Sequence, residues 1–125
     1  MAILGLGTDI VEVTRIQEAL ERQAGLATRL LTATELEQFE QHQSPVRFLA
    51  KRFAAKEAAL KALGTGLQQG MSWQMLEIGH DQLGKPELIL SGKANERFTA
   101  LGGQRVLLSL SDERHYAQAV VVIDG

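Results

Sequence analysis

The chain has 125 residues, 45% of them hydrophobic and 22% charged, with a formal net charge of −2. That length supports one hydrophobic core and not two, so it predicts a single domain over residues 1–125. There is no cysteine, which excludes disulfides, thiolate metal sites and a cysteine nucleophile. The opening Met1-Ala2-Ile3-Leu4-Gly5-Leu6-Gly7 has no basic leader and soon meets Asp9, so it does not read as a signal peptide. Residues 2–7, apolar and glycine-spaced, predict a short buried strand. A helix is predicted from Val13 to Ala24, with Ile16 and Leu20 on one face and Gly25 as its stop. Thr34 followed by Glu37 has capping-box spacing and predicts a short helix to His42. Ser44-Pro45 then offers the N-cap and first position of a longer helix, ending at Leu63 before Gly64. Its apolar residues are mostly alanines, so it can pack closely against a sheet.

The second half changes character. Trp73–Gly79 predicts a strand, Leu83-Gly84-Lys85-Pro86 a turn, and Glu87–Leu90 a second strand. Ser91 or Gly92 opens a helix that stops at Gly102-Gly103. Arg105–Leu110 and Tyr116–Ile123 flank the polar turn Ser111-Asp112-Glu113-Arg114-His115. Two hairpin-like pairs separated by a helix predict an α+β fold, with an antiparallel sheet packed against the long helix. No apolar run approaches a membrane span, the nearest being Ala119–Ile123. A cytoplasmic protein without membrane attachment is expected.

Charge is unevenly spread. Residues 1–46 carry three basic and seven acidic side chains, whereas residues 47–61 carry five basic (Arg47, Lys51, Arg52, Lys56, Lys61) and one acidic (Glu57). A local basic block in an acidic chain argues for a defined anion site and against general nucleic-acid binding. Within it, Glu57 lies one helical turn before Lys61 on the same face. Asp9 sits in an apolar run, where an ionised group is costly unless paired. Two carboxylates with nearby cations match a Mg²⁺–diphosphate site, which needs hard oxygen ligands and positive charge for phosphate oxygens. Taken singly, the same residues have plainer readings. Asp9 could be a turn residue or helix cap, and Glu57–Lys61 a surface pair of ~0.3–0.5 kcal/mol. Gly64-Thr65-Gly66 is a weak phosphate-loop motif, and Gly5-Leu6-Gly7 lacks the third glycine of a dinucleotide fingerprint because Ile10 stands there. His42 and His80 read as surface residues, and no Ser–His–acid set can be assembled.

Together, Gly5-Leu6-Gly7-Thr8-Asp9-Ile10-Val11 and the segment from Arg52-Phe53-Ala54-Ala55-Lys56-Glu57-Ala58-Ala59-Leu60-Lys61 through Gly64-Thr65-Gly66 resemble the two signatures of the holo-acyl-carrier-protein synthase family. This is the small-subunit branch of the 4′-phosphopantetheinyl transferases. Leu83-Gly84-Lys85-Pro86 and Asp112-Glu113-Arg114-His115-Tyr116-Ala117 extend the resemblance over nearly the whole chain. It implies transfer of the phosphopantetheine arm of coenzyme A to a serine of an apo-acyl-carrier protein, in support of fatty acid biosynthesis. By the same resemblance Asp9 and Glu57 match metal carboxylates for Mg²⁺, and Glu57 and Lys61 are the catalytic candidates. Arg52, Lys61, Gly64, Lys85 and Pro86 match positions near coenzyme A. Arg15 matches a position facing the acidic carrier protein, with Arg22 and Arg29 as weaker candidates. A homotrimer with shared sites is implied. One departure stands out: many relatives have a histidine where this chain has Asp112, and the 3′-phosphate contact of that histidine is not carried over to His115. Two rival functions remain, a basic docking module and a transferase serving carriers other than that of fatty acid synthesis.

Overall fold

The computed structural model describes residues 2–125 and orders the chain as five strands and five helices. Strand β1 (Ile3–Glu12) leads directly into α1 (Val13–Arg22), followed by the short helices α2 (Leu26–Leu30) and α3 (Ala33–Gln41). The long helix α4 (Pro45–Leu63) comes next, then a 3-10 turn at Trp73–Met75. The hairpin of β2 (Leu76–His80) and β3 (Pro86–Leu90), helix α5 (Gly92–Ala100), and the strands β4 (Arg105–Asp112) and β5 (Tyr116–Asp124) complete the fold. It is a mixed α+β arrangement, as the pattern predicts.

The strands form two sheets. One is three-stranded with order β1-β5-β4, antiparallel throughout, and the other is the β2-β3 hairpin alone. A single continuous sheet is therefore not formed: β3 lies against β4 without a ladder between them. Strand β1 runs five residues beyond its predicted end, because β5 pairs with it from Ile3↔Asp124 to Glu12↔Tyr116. Asp9 thus sits inside a strand, opposite Ala119, and not in a turn or cap.

Helix α4 forms as predicted. Alanine is the best helix former, Pro45 occupies its first turn, and Gly64 ends it in the left-handed conformation with φ +76°. Arg97 Nε donates to the terminal carbonyl of Leu63 at 2.9 Å. Ala54, Ala55, Ala58, Ala59 and Ala62 are all buried. They pack against Ala119, Val121 and Ile123 of β5, while Ile16, Leu26, Leu30 and Leu31 form a second cluster with Phe48 and Leu49 at the other end.

The closest approach is to β1. A Cβ on Gly5 would lie 2.1 Å from Ala62 O, and one on Gly7 would lie 1.9 Å from Ala58 O. No side chain fits there. Alternation along the strand puts Gly5, Gly7 and Asp9 on one face, so the two glycines dock the strand and the third position delivers a carboxylate to α4.

Three local predictions shift. The first helix ends at Arg22, and α2 follows Gly25, which is left-handed at φ +80°; five residues are too few for periodicity to reveal. The capping box at α3 is Thr32 with Glu35, not Thr34 with Glu37. Both pairs have the spacing, and Glu35 wins because its carboxylate is drawn into the interior. The predicted strand from Trp73 begins only at Leu76, after the 3-10 turn.

Candidate active site

At the crossing of β1 and α4, Lys61 Nζ lies 3.1 Å from Asp9 Oδ1 and donates at 2.9 Å to Thr8 O. The Asp9 side chain is 17% exposed and that of Lys61 53%. Glu57, one turn earlier on α4, is half-buried. Its carboxyl pKa is pushed up, first by burial and then by the charge of Asp9, with Lys61 opposing. Two carboxylates and one ammonium therefore share this corner, the charges of Asp9 and Lys61 both acting on Glu57. Asp9, Glu57 and Lys61, separated by up to 52 residues, are brought together as the sequence predicts. Among the described residues, no group of three or more His, Cys, Asp or Glu side chains is placed to hold a metal. Any ion bound here would take its remaining ligands from phosphate or water.

Toward the start of α4, a cavity of about 340 Å³ is lined by Gln38, His42, Arg47, Phe48, Lys51, Arg52 and His80. Three of these are permanent cations. Burial, followed by the charges of Arg52 and Lys51, holds the His80 pKa below its ordinary value. Arg47 Nη1 lies 3.2 Å from Asp112 Oδ2 and donates at 2.7 Å to Glu113 O; Nη2 donates to Arg114 O at 3.0 Å. Lys51 Nζ lies 3.4 Å from Asp112 Oδ1. The β4–β5 turn is thus clamped onto α4 beside the cavity. Arg52 is 4% exposed, with its guanidinium carbon 4.3 Å above the Phe48 ring. Its Nε has no hydrogen-bond partner among the described residues.

The other predicted residues lie apart. Gly64 closes α4. Lys85 and Pro86 line a separate cleft with Leu88 and Val106–Leu108, between β3 and β4. Arg15 is an exposed residue of α1, 3.4 Å from Glu12.

Sequence reasoning passed over the Glu35–Lys56 pair. Both side chains are fully buried, and Lys56 Nζ meets Glu35 Oε1 at 2.7 Å. Burial pushes the Lys56 pKa down, and Glu35 opposes the shift. The signal was the Thr32–Glu35 spacing. Lys56 gives no such signal, because a lysine in a basic helix reads as solvated.

Comparison with known proteins bears on this geometry. Residues 5–121 match the 4′-phosphopantetheinyl transferase superfamily. The holo-[acyl-carrier-protein] synthase of Hamiltonella defensa is 56% identical over 126 residues, covering all of both chains. The crystal structure of the Neisseria meningitidis holo-[acyl-carrier-protein] synthase superposes with a TM-score of 0.93 at 44% identity, over 99% of this chain and 100% of that one. The synthase of Bacillus anthracis, solved in complex with CoA (3′,5′-ADP), superposes with a TM-score of 0.80 at 36% identity, over 97% and 96%. The chain belongs to the 4′-phosphopantetheinyl transferase superfamily, among its holo-[acyl-carrier-protein] synthases.

Proposed function

We propose that this protein, as one domain spanning residues 1–125, transfers the 4′-phosphopantetheine group of coenzyme A to a serine of apo-acyl-carrier protein, leaving adenosine 3′,5′-bisphosphate, in support of fatty acid biosynthesis in the cytoplasm. The observation that carries this reading is the meeting of Asp9, Glu57 and Lys61 at the glycine-docked crossing of β1 and α4. Two hard carboxylate donors that repel one another fit Mg²⁺, which takes few protein ligands and completes its shell with phosphate and water. Asp9 and Glu57 would hold it, and when bound it supplies charge neutralisation at the phosphoryl oxygens. Lys61 reaches the same corner and neutralises charge on the departing phosphate. Its Thr8 carbonyl bond keeps the ammonium aimed there. The chain's task is positioning and electrostatics, as phosphoryl transfer requires.

Coenzyme A carries a second anion, its 3′-phosphate. The cavity walled by Arg47, Lys51 and Arg52 lies on the same helix as Glu57 and Lys61, one to four turns earlier, and we assign the 3′-phosphate to it. Gly64, Lys85 and Pro86 complete the donor surface. Lys85 and Pro86 line another cleft of the chain, which supports sites shared between neighbouring subunits of a homotrimer. The outer face of the β1-β5-β4 sheet favours the same assembly, since Leu6 (65%), Ile10 (62%) and Tyr116 (43%) stand exposed on it. Arg15 offers a guanidinium to carboxylates of the carrier.

Weighing apo-acyl-carrier protein by mass spectrometry after incubation with enzyme, coenzyme A and Mg²⁺ tests the reading. The carrier is expected to gain one phosphopantetheine. A carrier left unmodified under Mg²⁺ or any other divalent ion would remove the assignment.

A further inference from the structure

Buried charge away from the Asp9 corner is gathered around one carboxylate. Glu35 has no exposed surface, and neither has Lys56. Lys56 Nζ donates to Leu30 O at 2.7 Å, to Trp73 O at 3.1 Å and to Glu35 Oε1 at 2.7 Å. Glu35 Oε1 also accepts from Thr32 N at 3.0 Å, and Oε2 accepts from Ile78 N at 2.8 Å. Those two side chains satisfy each other and three stretches of backbone.

Arg52 is the remainder. Its Nε lies 3.9 Å from Glu35 Oε2, beyond hydrogen-bond reach, and finds no other partner among the described residues. Two buried cations lie around the fully buried Glu35; the part-buried Glu77 also acts on Lys56, whereas Glu35 is the carboxylate that acts on Arg52, the residue that lines the cavity. Arg52 thus brings an incompletely paired guanidinium to the cavity wall, where an arriving anion would complete its partners. Glu35 provides the opposite half of that balance. With Nε turned toward Glu35 and the guanidinium resting on Phe48, the group is held at the wall from behind.

We propose that Glu35 is a positioning residue for the coenzyme A donor: its carboxylate holds the Arg52 guanidinium at the cavity wall, ready for the 3′-phosphate. The inference rests on the transfer reading given above. It is separable from it, because it concerns only how the donor's second anion is received.

The test compares kcat and KM for coenzyme A and for 3′-dephospho-coenzyme A. The proteins are wild type, Glu35→Gln, Lys56→Met and the double variant Glu35→Gln/Lys56→Met. A wild type that transfers from neither donor overturns the transfer reading itself. A wild type with equal KM for both donors removes the phosphate from the cavity, and this inference with it. Given a preference for coenzyme A, Glu35→Gln is expected to raise its KM up to about fivefold, the scale of one ion pair at 3.9 Å without a hydrogen bond. Its kcat and its KM for the dephospho donor should hold. The double variant removes both inner charges together while leaving Leu30 O and Trp73 O without their donor; with its native fold verified by circular dichroism, it should show the same selective loss. Lys56→Met keeps Glu35 beside Arg52 and should retain the wild-type donor ratio. An equal KM rise for both donors in the Glu35 variants, a fall in kcat alone, or a lost donor ratio in Lys56→Met would overturn the assignment.

Discussion

Glu57 holds its proton more tightly than an ordinary glutamate of pKa 4.5, because burial and the nearby charge of Asp9 outweigh Lys61. A carboxyl raised in the fold stabilises fully below its unfolded value, and that contribution is lost as pH rises through the folded value. Wild type is thus weakened near neutrality by the same ionised group that the proposed metal site would use. In chelator at pH 7, Glu57→Gln is expected to melt higher than wild type, and the gap should close as pH falls below 4.5. Added Mg²⁺ should raise the melting temperature of wild type and leave that of Glu57→Gln unmoved. A variant that melts lower than wild type at pH 7 in chelator would contradict this. Asp112 offers a second case. Its 28%-exposed carboxylate lies within 3.4 Å of both Arg47 and Lys51, so it competes with any anion for two of the cavity's cations. Asp112→Asn should lower the KM for coenzyme A by up to about fivefold, the scale of a partly exposed ion pair. Steady-state kinetics showing a higher KM would reverse the role given to Asp112. At this scale the sequence marks out Asp9, Glu57 and Lys61, since carboxylates in apolar or basic surroundings are conspicuous. It hides Glu35 and Lys56, whose burial depends on Leu30, Trp73 and Ile78 arriving from distant segments.

Among the elements, α4 is legible from end to end because proline starts it, glycine stops it and alanine fills it. The β2-β3 and β4-β5 pairings are legible too, being local. The extension of β1 to Glu12 is not, because its partner β5 lies at the far end of the chain and supplies the hydrogen bonds that keep residues 8–12 extended. What couples these two elements to the site is the bare backbone at Gly5 and Gly7. Gly7→Ala would place a methyl 1.9 Å from Ala58 O, against backbone that cannot rotate away. Overpacking of this kind costs about 3 kcal/mol. Lifting β1 also withdraws Asp9 from Glu57 and Lys61. Chemical denaturation should therefore show a lower midpoint for Gly7→Ala, and the folded fraction should have lost transfer activity. Full activity at unchanged stability would mean that the strand and helix do not meet as described.

For the whole molecule, the three-stranded sheet turns one face to α4 and leaves the other exposed, with large apolar side chains set among Thr8, Ser109, Ser111 and Gln118. Leu6 and Ile10 on β1, Leu107 on β4 and Tyr116 on β5 are all exposed, and alternation sets Ile10 on the face opposite its neighbour Asp9. A charge at position 10 therefore leaves Asp9, Glu57 and Lys61 in place while opposing any covering of the outer face. Wild type is expected to sediment as three chains, and Ile10→Lys as one chain with its helix and strand content retained. Because the proposed coenzyme A-binding residues line two separate clefts of each chain, the dissociated variant should also lose transfer. Leu6→Ala, a milder change on the same face, should weaken association without abolishing it, so its rate per chain should fall on dilution. A wild type that sediments as a single chain at full activity, or an Ile10→Lys monomer that transfers normally, would place the whole reaction within one subunit.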